Sequence, residues 1–193
     1  MIIFEGDKEY KFRNLGSEVT LAEFDKVNQI FNPKSEIGKD EKDKPKLVKW
    51  LKVVALLGDK GLDDVIDTDS LLNMIKNFKA TDIDADIIDS ITIGKRTYEL
   101  AKKEGKLYLS GKDTSTIEEF FRTKNNWVTY TIAILFKDVE LSVKEHYDNA
   151  HLKYKAELFG KELTAEICAP IIYEVNKQIA QTYIQMSDID AKS

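Results

Sequence analysis

The sequence has a single cysteine, Cys168, among its 193 residues. One cysteine cannot form a disulfide within the chain, so the stability of the fold must come from packing, as is typical of proteins in a reducing compartment. Cys168 lies in the apolar segment TAEICAPII, where a thiol keeps a high pKa and behaves as a small hydrophobic side chain. We therefore exclude Cys168 as a catalytic nucleophile.

Histidine is nearly as rare, with only His146 and His151 in the chain. The two are five residues apart, so on a helix they lie on different faces and cannot chelate a metal ion as a pair four residues apart could. We expect His151 to be packed and hydrogen-bonded on an apolar face, and His146 to lie on the surface. We predict no metal site.

Arginine and long apolar runs are also scarce. The chain has 34 acidic and 29 basic residues, a net charge of −5, and only three arginines, Arg13, Arg96 and Arg122. This balance disfavours nucleic-acid binding, which calls for a basic face rich in phosphate contacts. No window approaches the roughly 18 apolar residues of a membrane span, and the first residues lack the pattern of an export signal. We expect a protein that is neither exported nor embedded in a membrane.

Two motifs that would bind ligands are incomplete. Asp82, Asp84 and Asp86 have the spacing of the first ligands of a calcium loop, but isoleucines stand where that loop needs its glycine and its final glutamate. The segment SGKDT at 110–114 resembles part of a phosphate-binding loop, but an aspartate follows its lysine where serine or threonine would bind magnesium. The sequence therefore predicts no cofactor and no identifiable catalytic residue.

The first part of the chain predicts a β-hairpin followed by helices. Apolar and charged residues alternate on both sides of a Gly6-Asp7 turn, which indicates two short strands. Thr20, with Glu23 three residues later, has the pattern of a capping box that begins a helix. Residues 32–46 hold two prolines, one glycine and nine charged residues, and we expect a mobile loop with nothing buried. The apolar segment LVKWLKVVALL predicts a helix that ends at Gly58, and DTDSLLNMIKNF predicts another capped near Thr68 or Asp69.

The second part repeats this order. Strand-like alternation returns around Gly94-Lys95, a further strand GKLYLSG follows, and TIEEF at 116–120 echoes TLAEF at 20–24 with Thr116 in the capping position. The segment WLKVVALLGD likewise aligns with TYTIAILFKD. Duplication or convergence would give the same pattern, and chance remains the alternative because capping boxes before apolar helices are common.

The last fifty residues predict one or two long helices with an apolar stripe. Gly160 weakens the pattern, and a kink or break is expected in the turn before Pro170. A stripe of roughly 60 Å, at 1.5 Å per residue, is longer than a domain of this size can cover. We therefore predict that part of the stripe binds another protein, or a second copy of the chain, in a helix-in-groove or coiled-coil contact through Ile171, Ile172, Val175, Ile179 and Tyr183.

Together these patterns predict an α+β, predominantly helical protein with two small β-hairpin units, each followed by a capped helix, and a long C-terminal helical arm. We place the boundary between two halves at 1–86 and 87–193, with the charged loop at 32–46 in the first half. Each hairpin has one apolar face too small to be stable alone, and packing it on its own helix buries that face.

The hairpin GDKEYKF, the Thr-capped LAEF, the charged gap and the WLKVVALL helix resemble the N-terminal regions of tail and baseplate assembly proteins of contractile-tailed bacteriophages. The resemblance covers about the first 80 residues and, less closely, the segment ELFGKELTAEICAPIIYEVNKQI. It implies a non-enzymatic protein–protein role, as a structural subunit or assembly chaperone that binds tail or baseplate subunits in the host cytoplasm or the virion. The alternative is a small cytosolic enzyme that uses carboxylate and lysine side chains, for which the sequence singles out no residues.

Overall fold

The computed structural model describes residues 1–13, 16–78, 86–123 and 126–190. Within them the chain is an α+β, predominantly helical protein, which confirms the predicted fold class. Asp82 and Asp84 of the incomplete calcium pattern, and the chain just before the predicted boundary at 86, lie outside the described residues. Within the described ranges, no helix is both long enough and apolar enough to cross a membrane.

The first half begins with the predicted hairpin. Strand β1 (Ile2–Glu5) pairs antiparallel with β2 (Lys8–Lys11) around Gly6, whose φ of +62° suits a glycine in a tight turn. Five helices follow, namely α1 (Leu21–Phe31), α2 (Glu36–Glu41), α3 (Lys46–Leu57), α4 (Leu62–Val65) and α5 (Thr68–Asn77). The capping box of α1 is confirmed, because Thr20 Oγ1 accepts from Glu23 N–H while the Glu23 carboxylate accepts from Thr20 N–H. Helix α3 ends before Gly58 as predicted, and Asp67 caps α5 one residue before the predicted position.

The charged segment 32–46 is folded, so the prediction of a mobile loop without buried residues is wrong. Ser35 caps α2 by accepting from Gly38 N–H at 2.8 Å. Gly38 packs so closely on α1 that a Cβ there would come within 1.7 Å of the Asn32 carbonyl oxygen. The Glu41 carboxylate is fully buried and accepts hydrogen bonds from Lys52 and Lys44, which lower its pKa. One buried carboxylate in this segment is thus paired with lysines, while the other charged residues of the segment are exposed.

The second half has a three-stranded sheet and two central helices. Strands β3 (Ser90–Ile93) and β4 (Arg96–Leu100) form the second predicted hairpin, and β4 also pairs with β7 (Phe136–Asp138). The further predicted strand is a short hairpin of β5 (Lys102–Lys103) and β6 (Lys106–Leu107). The helices are α6 (Gly111–Thr123) and α7 (Trp127–Leu135).

The second capping box is not at Thr116. Helix α6 begins six residues earlier than predicted, where Ser110 Oγ accepts from Asp113 N–H at 3.1 Å and the Asp113 carboxylate accepts from Ser110 N–H at 2.9 Å. Thr116 lies inside the helix and its hydroxyl donates to the Lys112 carbonyl. The segment SGKDT is therefore itself the helix start, because aspartate at the third position can replace glutamate in this reciprocal arrangement.

The two halves share one further hydrogen-bonding feature. In the first half, Arg13 N–H donates to the Leu57 carbonyl at 2.9 Å, which returns the chain after the hairpin to the end of α3. In the second half, Ala101 N–H donates to the Leu135 carbonyl at the end of α7, also at 2.9 Å. Both halves thus close a hairpin onto the end of their second long helix. By these hydrogen bonds Leu57 corresponds to Leu135, whereas the sequence alignment pairs Leu57 with Phe136, one residue later.

The C-terminal region consists of α8 (Val143–His146), α9 (Asn149–Glu162) and α10 (Ala165–Asp190). The break lies at Leu163–Thr164, earlier than the turn before Pro170, and α10 continues through Pro170. The reason is an antiparallel bridge between Thr20 and Thr164, in which Leu21 N–H donates to the Leu163 carbonyl and Ala165 N–H donates to the Val19 carbonyl. Backbone pairing with the start of α1 therefore sets the division between α9 and α10.

The buried hydrophobic side chains form two clusters that follow the two halves. One cluster contains residues from Ile3 to Met74, and the other contains Tyr98 to Val175 together with Leu21. Phe24 of α1 packs against both clusters. Helix α1 therefore belongs to the first half by sequence and joins the two cores by packing. The position of the boundary at 86/87 stays a prediction.

Candidate functional site

The structure divides the five residues that were predicted to bind a partner. Ile171 and Val175 are fully buried in the chain's own core, and Ile172 is 9% exposed. The expectation that these three lie on an unsheltered surface is wrong. The apolar helix α7, whose side chains from Val128 to Leu135 are all buried, packs against α10 and covers this part of the stripe. A charged residue in place of Ile172 would therefore disrupt the core and not only a contact with a partner.

The other two predicted residues, Ile179 and Tyr183, lie in a groove between α6 and α10. Ile179 is half-buried, and Tyr183 is 50% exposed. We call this the α6/α10 groove; it has a volume of about 290 Å³ and is lined by Lys34, Ile117, Glu118, Phe121, Arg122, Trp127, Asn176, Ile179 and Tyr183. Among the five predicted residues, the two nearest the C-terminal end of α10 are thus the ones that reach solvent.

The apolar wall of the groove follows from the pattern of α6. Ile117 and Phe120 face the core, so Phe121, the next residue, turns outward and is 57% exposed. Its ring packs edge-on against Trp127, with centroids 5.1 Å apart and an interplanar angle of 80°. This geometry holds a large apolar side chain in place at the surface. An exposed aromatic ring held in this way is typical of a binding anchor.

The opposite wall of the groove, formed by α10, is held to α6 by a polar contact. Tyr183 OH donates to Glu118 Oε1 at 2.7 Å, and this hydrogen bond raises the pKa of Tyr183. The contact ties α10 to α6 across the groove, so the two walls are linked by one hydrogen bond between side chains. Breaking it would let the Tyr183 ring move without disturbing the buried part of α10.

One end of the α6/α10 groove opens into a second, basic cavity. This cavity has a volume of about 440 Å³ and shares Lys34, Phe121 and Arg122 with the groove. Lys39 and Ser35 of the α2 region line it further, together with Asn32, Glu36 and Thr123. Three cationic side chains, Lys34, Lys39 and Arg122, therefore lie around this adjoining cavity, together with the carboxylate of Glu36.

A buried lysine lies elsewhere, under the end of α7. Lys155 is fully buried, and its Nζ donates to the Phe136 carbonyl at 2.9 Å and lies 3.2 Å from His146 Nδ1. Burial lowers the pKa of Lys155 to about 7, although the Asp138 carboxylate opposes this shift. His146 Nε2 lies 2.8 Å from the Ile134 carbonyl, and burial with the nearby lysine lowers the pKa of His146 to about 4. Both side chains thus bind carbonyl groups at the C-terminal end of α7 that the helix leaves unpaired.

A second buried polar pair lies nearby. Asp113 accepts from Tyr147 OH at 2.5 Å and lies 3.5 Å from Lys137 Nζ. Burial alone would raise the pKa of Asp113, but the hydrogen bonds from Ser110 and Tyr147 bring it below its usual value. Burial and the contact with Asp113 raise the pKa of Tyr147 to about 12. These groups fasten the start of α6 to the α8 region and do not line the α6/α10 groove.

Lysines with a lowered pKa can act as nucleophiles, so Lys155 is a side chain that the enzyme alternative could use. Its amine, however, is wholly enclosed and bonded to groups of its own chain. It lines neither of the two cavities described above. The geometry of Lys155 therefore supports a structural role.

Sequence reasoning exchanged the roles of the two histidines. His146 is buried and hydrogen-bonded rather than on the surface, and His151 is half-buried with an Nε2 that bonds no other described group. Cys168 is buried, as its apolar sequence context predicts, and burial raises the pKa of its thiol to about 12. Among the described residues, no three His, Cys, Asp or Glu side chains come together as metal ligands would.

The basic cavity was also missed, because its lysines lie in the segment that the sequence suggested was unstructured. The only signal that could have found it is Ser35, which has a capping residue's position before α2. The chain matches no protein-family model, no curated protein and no solved structure.

Proposed function

We propose that the protein is a non-enzymatic binding protein whose α6/α10 groove holds an amphipathic helical segment of a partner protein. The observation that carries this proposal is that two exposed aromatic rings, Phe121 and Tyr183, line one groove with the half-buried Trp127 and Ile179. Exposed aromatic anchors gathered at one apolar groove are the usual centre of a protein interface.

The shape of the groove favours a helix as the bound segment. A helix presents apolar side chains three, four and seven residues apart along one face, and such a face fits a channel between two other helices. The polar backbone groups of a helix are satisfied internally, so they place no demand on the apolar walls. The partner helix supplies the apolar side chains that cover Phe121 and Tyr183.

Charge orients the bound helix. Lys34, Lys39 and Arg122 lie at the end of the groove that opens into the basic cavity. A partner helix with acidic residues at that end gains favourable electrostatic interactions, and the reversed orientation loses them. The proposed partner is therefore an apolar helix with acidic residues near one end.

The sequence resemblance supports a narrower identity. It suggests that the partner is a tail or baseplate subunit of a contractile-tailed phage, and that this protein acts as a structural subunit or assembly chaperone in the host cytoplasm or the virion. The groove is compatible with either role, because both need a surface that binds another subunit without chemistry.

The test compares Phe121→Glu and Tyr183→Glu with the matched control Tyr154→Glu, which changes an equally exposed tyrosine on α9. Partners are captured from a lysate of cells that produce the chain, identified by mass spectrometry and remade as pure proteins. Isothermal titration with each pure partner then gives the dissociation constant. We expect Kd to rise at least tenfold for both groove variants and to stay unchanged for Tyr154→Glu.

Two outcomes would count against the proposal. Equal affinity of wild type and both groove variants for every remade partner would remove the groove as the binding site. Loss of affinity in Tyr154→Glu with retention in Tyr183→Glu would place the interface on α9 instead.

A further inference from the structure

The first hairpin leaves one of its edges open. Phe12 N–H donates to the Met1 carbonyl at 2.8 Å, which places Met1 and Phe12 in a hydrogen-bonded pair. Because such pairs alternate along an antiparallel ladder, the backbone groups of Ile3 and Glu5 also face β2. The N–H and C=O groups of Ile2 and Phe4 therefore point away from β2. Among the described residues, β1 has no strand partner other than β2. Four backbone groups of β1 thus face outward in the spacing that an added strand would need.

The other edge of the same hairpin is covered by the chain itself. Lys11 N–H donates to Asp59 Oδ2 at 2.7 Å, and Asp59 N–H donates to the Lys11 carbonyl at 2.9 Å. The segment after α3 thus occupies part of the outer edge of β2. The outer edge of β2 is thus partly used by the fold, whereas the outer edge of β1 is left open.

The open edge of β1 forms one wall of a groove, which we call the β1/α5 groove. Its floor includes the buried side chains of Ile3 and Met74, and its volume is about 450 Å³. Ser70, Asn73 and Asn77 form the opposite wall, from one face of α5. Ile2 and Phe4, which are 56% and 66% exposed, lie along the edge itself.

The helical wall of this groove is polar in a way that suits a strand. A strand added to β1 would turn its second row of backbone N–H and C=O groups toward α5. Asparagine amides and a serine hydroxyl can both donate and accept hydrogen bonds, so they can satisfy that row. At present Asn77 Nδ2 donates to the Asn73 carbonyl and Ser70 Oγ donates to Asp67 Oδ2, so an added strand would share or replace these contacts within the α5 region.

The charges at the ends of the groove select an orientation. Glu5 Oε1 accepts from Asp67 N–H, so the last residue of β1 lies beside the first turn of α5. Asp69 is in the same turn, so three carboxylates lie beyond this end of the groove without lining it, and that of Asp67 accepts from Ser70 as the cap of α5. Lys76 lies in the last turn of α5, at the other end. A basic residue on the bound segment is favoured at the Glu5 end.

From these features we propose that the β1/α5 groove binds an extended segment of another protein by strand addition to β1. The segment runs antiparallel to β1, alternates apolar and small polar residues, and carries a basic residue at its N-terminal end, beside Glu5 and Asp67. The inference is independent of the α6/α10 groove, which takes a helix and uses different residues.

The test uses a six-residue peptide, acetylated and amidated, with an N-terminal arginine followed by alternating valine and threonine. Binding to the full chain is measured by fluorescence anisotropy of the labelled peptide and by NMR shifts of backbone amides. We expect saturable binding with the largest shifts at Ile2, Phe4, Asn73 and Asn77. A peptide with glutamate in place of arginine is expected to bind at least threefold more weakly.

The decisive variant is Phe4→Pro, which removes an outward N–H of β1 but no hydrogen bond to β2. Its matched control is Glu9→Pro, because Glu9 is the cross-strand neighbour of Phe4 and its N–H points outward from the other edge. We expect Phe4→Pro to weaken peptide binding at least tenfold and Glu9→Pro to leave it unchanged. Asn73→Leu, which leaves the hairpin intact, is expected to weaken binding severalfold, and Tyr183→Glu is expected to have no effect.

Three results would overturn the inference. The first is no binding of the arginine peptide, and the second is equal binding by wild type, Phe4→Pro and Asn73→Leu. The third is a concentration-dependent dimer in sedimentation that Phe4→Pro dissociates, because a second copy of the chain would then be what pairs with β1. Thermal unfolding of each variant identifies any loss of peptide binding that comes from failure to fold. If Phe4→Pro does not fold, the effect of Asn73→Leu on peptide binding decides between the proposal and its rejection.

Discussion

Asp25 of α1 caps a helix that begins about a hundred residues later in the chain. Its carboxylate accepts hydrogen bonds from Thr129 N–H at 2.9 Å and from Val128 N–H at 3.2 Å, and Thr129 Oγ1 also donates to it. These are the second and third residues of α7, whose preceding residue Asn126 makes no capping bond with its side chain. A carboxylate from the first half thus completes the central helix of the second half.

Asp25→Ala should destabilise the protein strongly. The change leaves two buried backbone N–H groups without acceptors, and the expected loss is about 2 kcal/mol or more in the free energy of unfolding, measured in urea at pH 7. Asp25→Asn keeps one acceptor oxygen and should lose less. The matched control is Asp64→Ala, an exposed aspartate in α4, which should change stability by less than about 0.5 kcal/mol. An effect of Asp25→Ala no larger than that of Asp64→Ala would contradict the capping role.

Lys155 should make the protein more stable as the pH rises above neutrality. Its folded pKa is lowered to about 7 from 10.5, so between these values the unfolded chain holds a proton that the folded chain has lost. Stability then rises with pH by at most about 1.4 kcal/mol per unit for this one group. The measurement is urea unfolding from pH 7 to 8, where the Cys168 thiol of the unfolded chain, with an ordinary pKa of about 8.5, is still mostly protonated.

The matched variant for this prediction is Lys155→Met, which keeps most of the side-chain volume and cannot titrate. It should be less stable overall, because the Phe136 carbonyl and His146 Nδ1 lose their donor. Its stability should depend less on pH than that of the wild type over the same range. Identical slopes for the two proteins would show that Lys155 keeps its charge when folded.

Ser110 rather than Thr116 should matter for the start of α6. Ser110→Ala removes the acceptor for Asp113 N–H and should cost about 1 kcal/mol. Thr116→Val keeps the buried shape and removes only a hydroxyl that bonds a carbonyl within the helix, so it should cost less. The two free energies of unfolding are compared in the same denaturant. A larger loss from Thr116→Val would restore the capping box at Thr116.

Gly38→Ala should destabilise the protein although it lies in a highly charged segment. The added Cβ would overlap the Asn32 carbonyl, so α2 must move away from α1, at a cost of about 1–3 kcal/mol. Gly111→Ala is the control, since a Cβ at Gly111 meets nothing within 4 Å. Thermal unfolding of the two variants is sufficient. A neutral Gly38→Ala would mean that residues 32–46 are loosely held in solution.

The features that the sequence predicted correctly are local. The hairpin at Gly6, the capping box at Thr20 and the end of α3 at Gly58 each depend on residues a few positions apart, where turn and cap chemistry decide the structure. The fold class followed from these short-range patterns. The prediction of the second capping box failed because serine with aspartate uses the same geometry as threonine with glutamate, and both pairs occur within ten residues, from Ser110 to Glu119.

The features that failed depend on contacts between distant residues. The segment 32–46 folds because Lys52 of α3 pairs with Glu41, a contact that composition does not reveal. The burial of Ile171 and Val175 depends on where α7 packs. The apolar stripe of α10 does not reveal from the sequence which of its residues α7 covers. Of the five, Ile179 and Tyr183 reach the surface, in a groove that Trp127 of α7 also lines, and their binding to a partner stays a prediction.

The bridge between Thr20 and Thr164 joins segments more than a hundred residues apart in the chain. Contacts of such long range close late in folding, since the intervening chain must collapse first. During synthesis on the ribosome, the side of α1 that packs on α7 and α9 therefore stays uncovered until those helices have been made. That interval is when the newly made chain is most open to aggregation, and when a chaperone would have the most to protect.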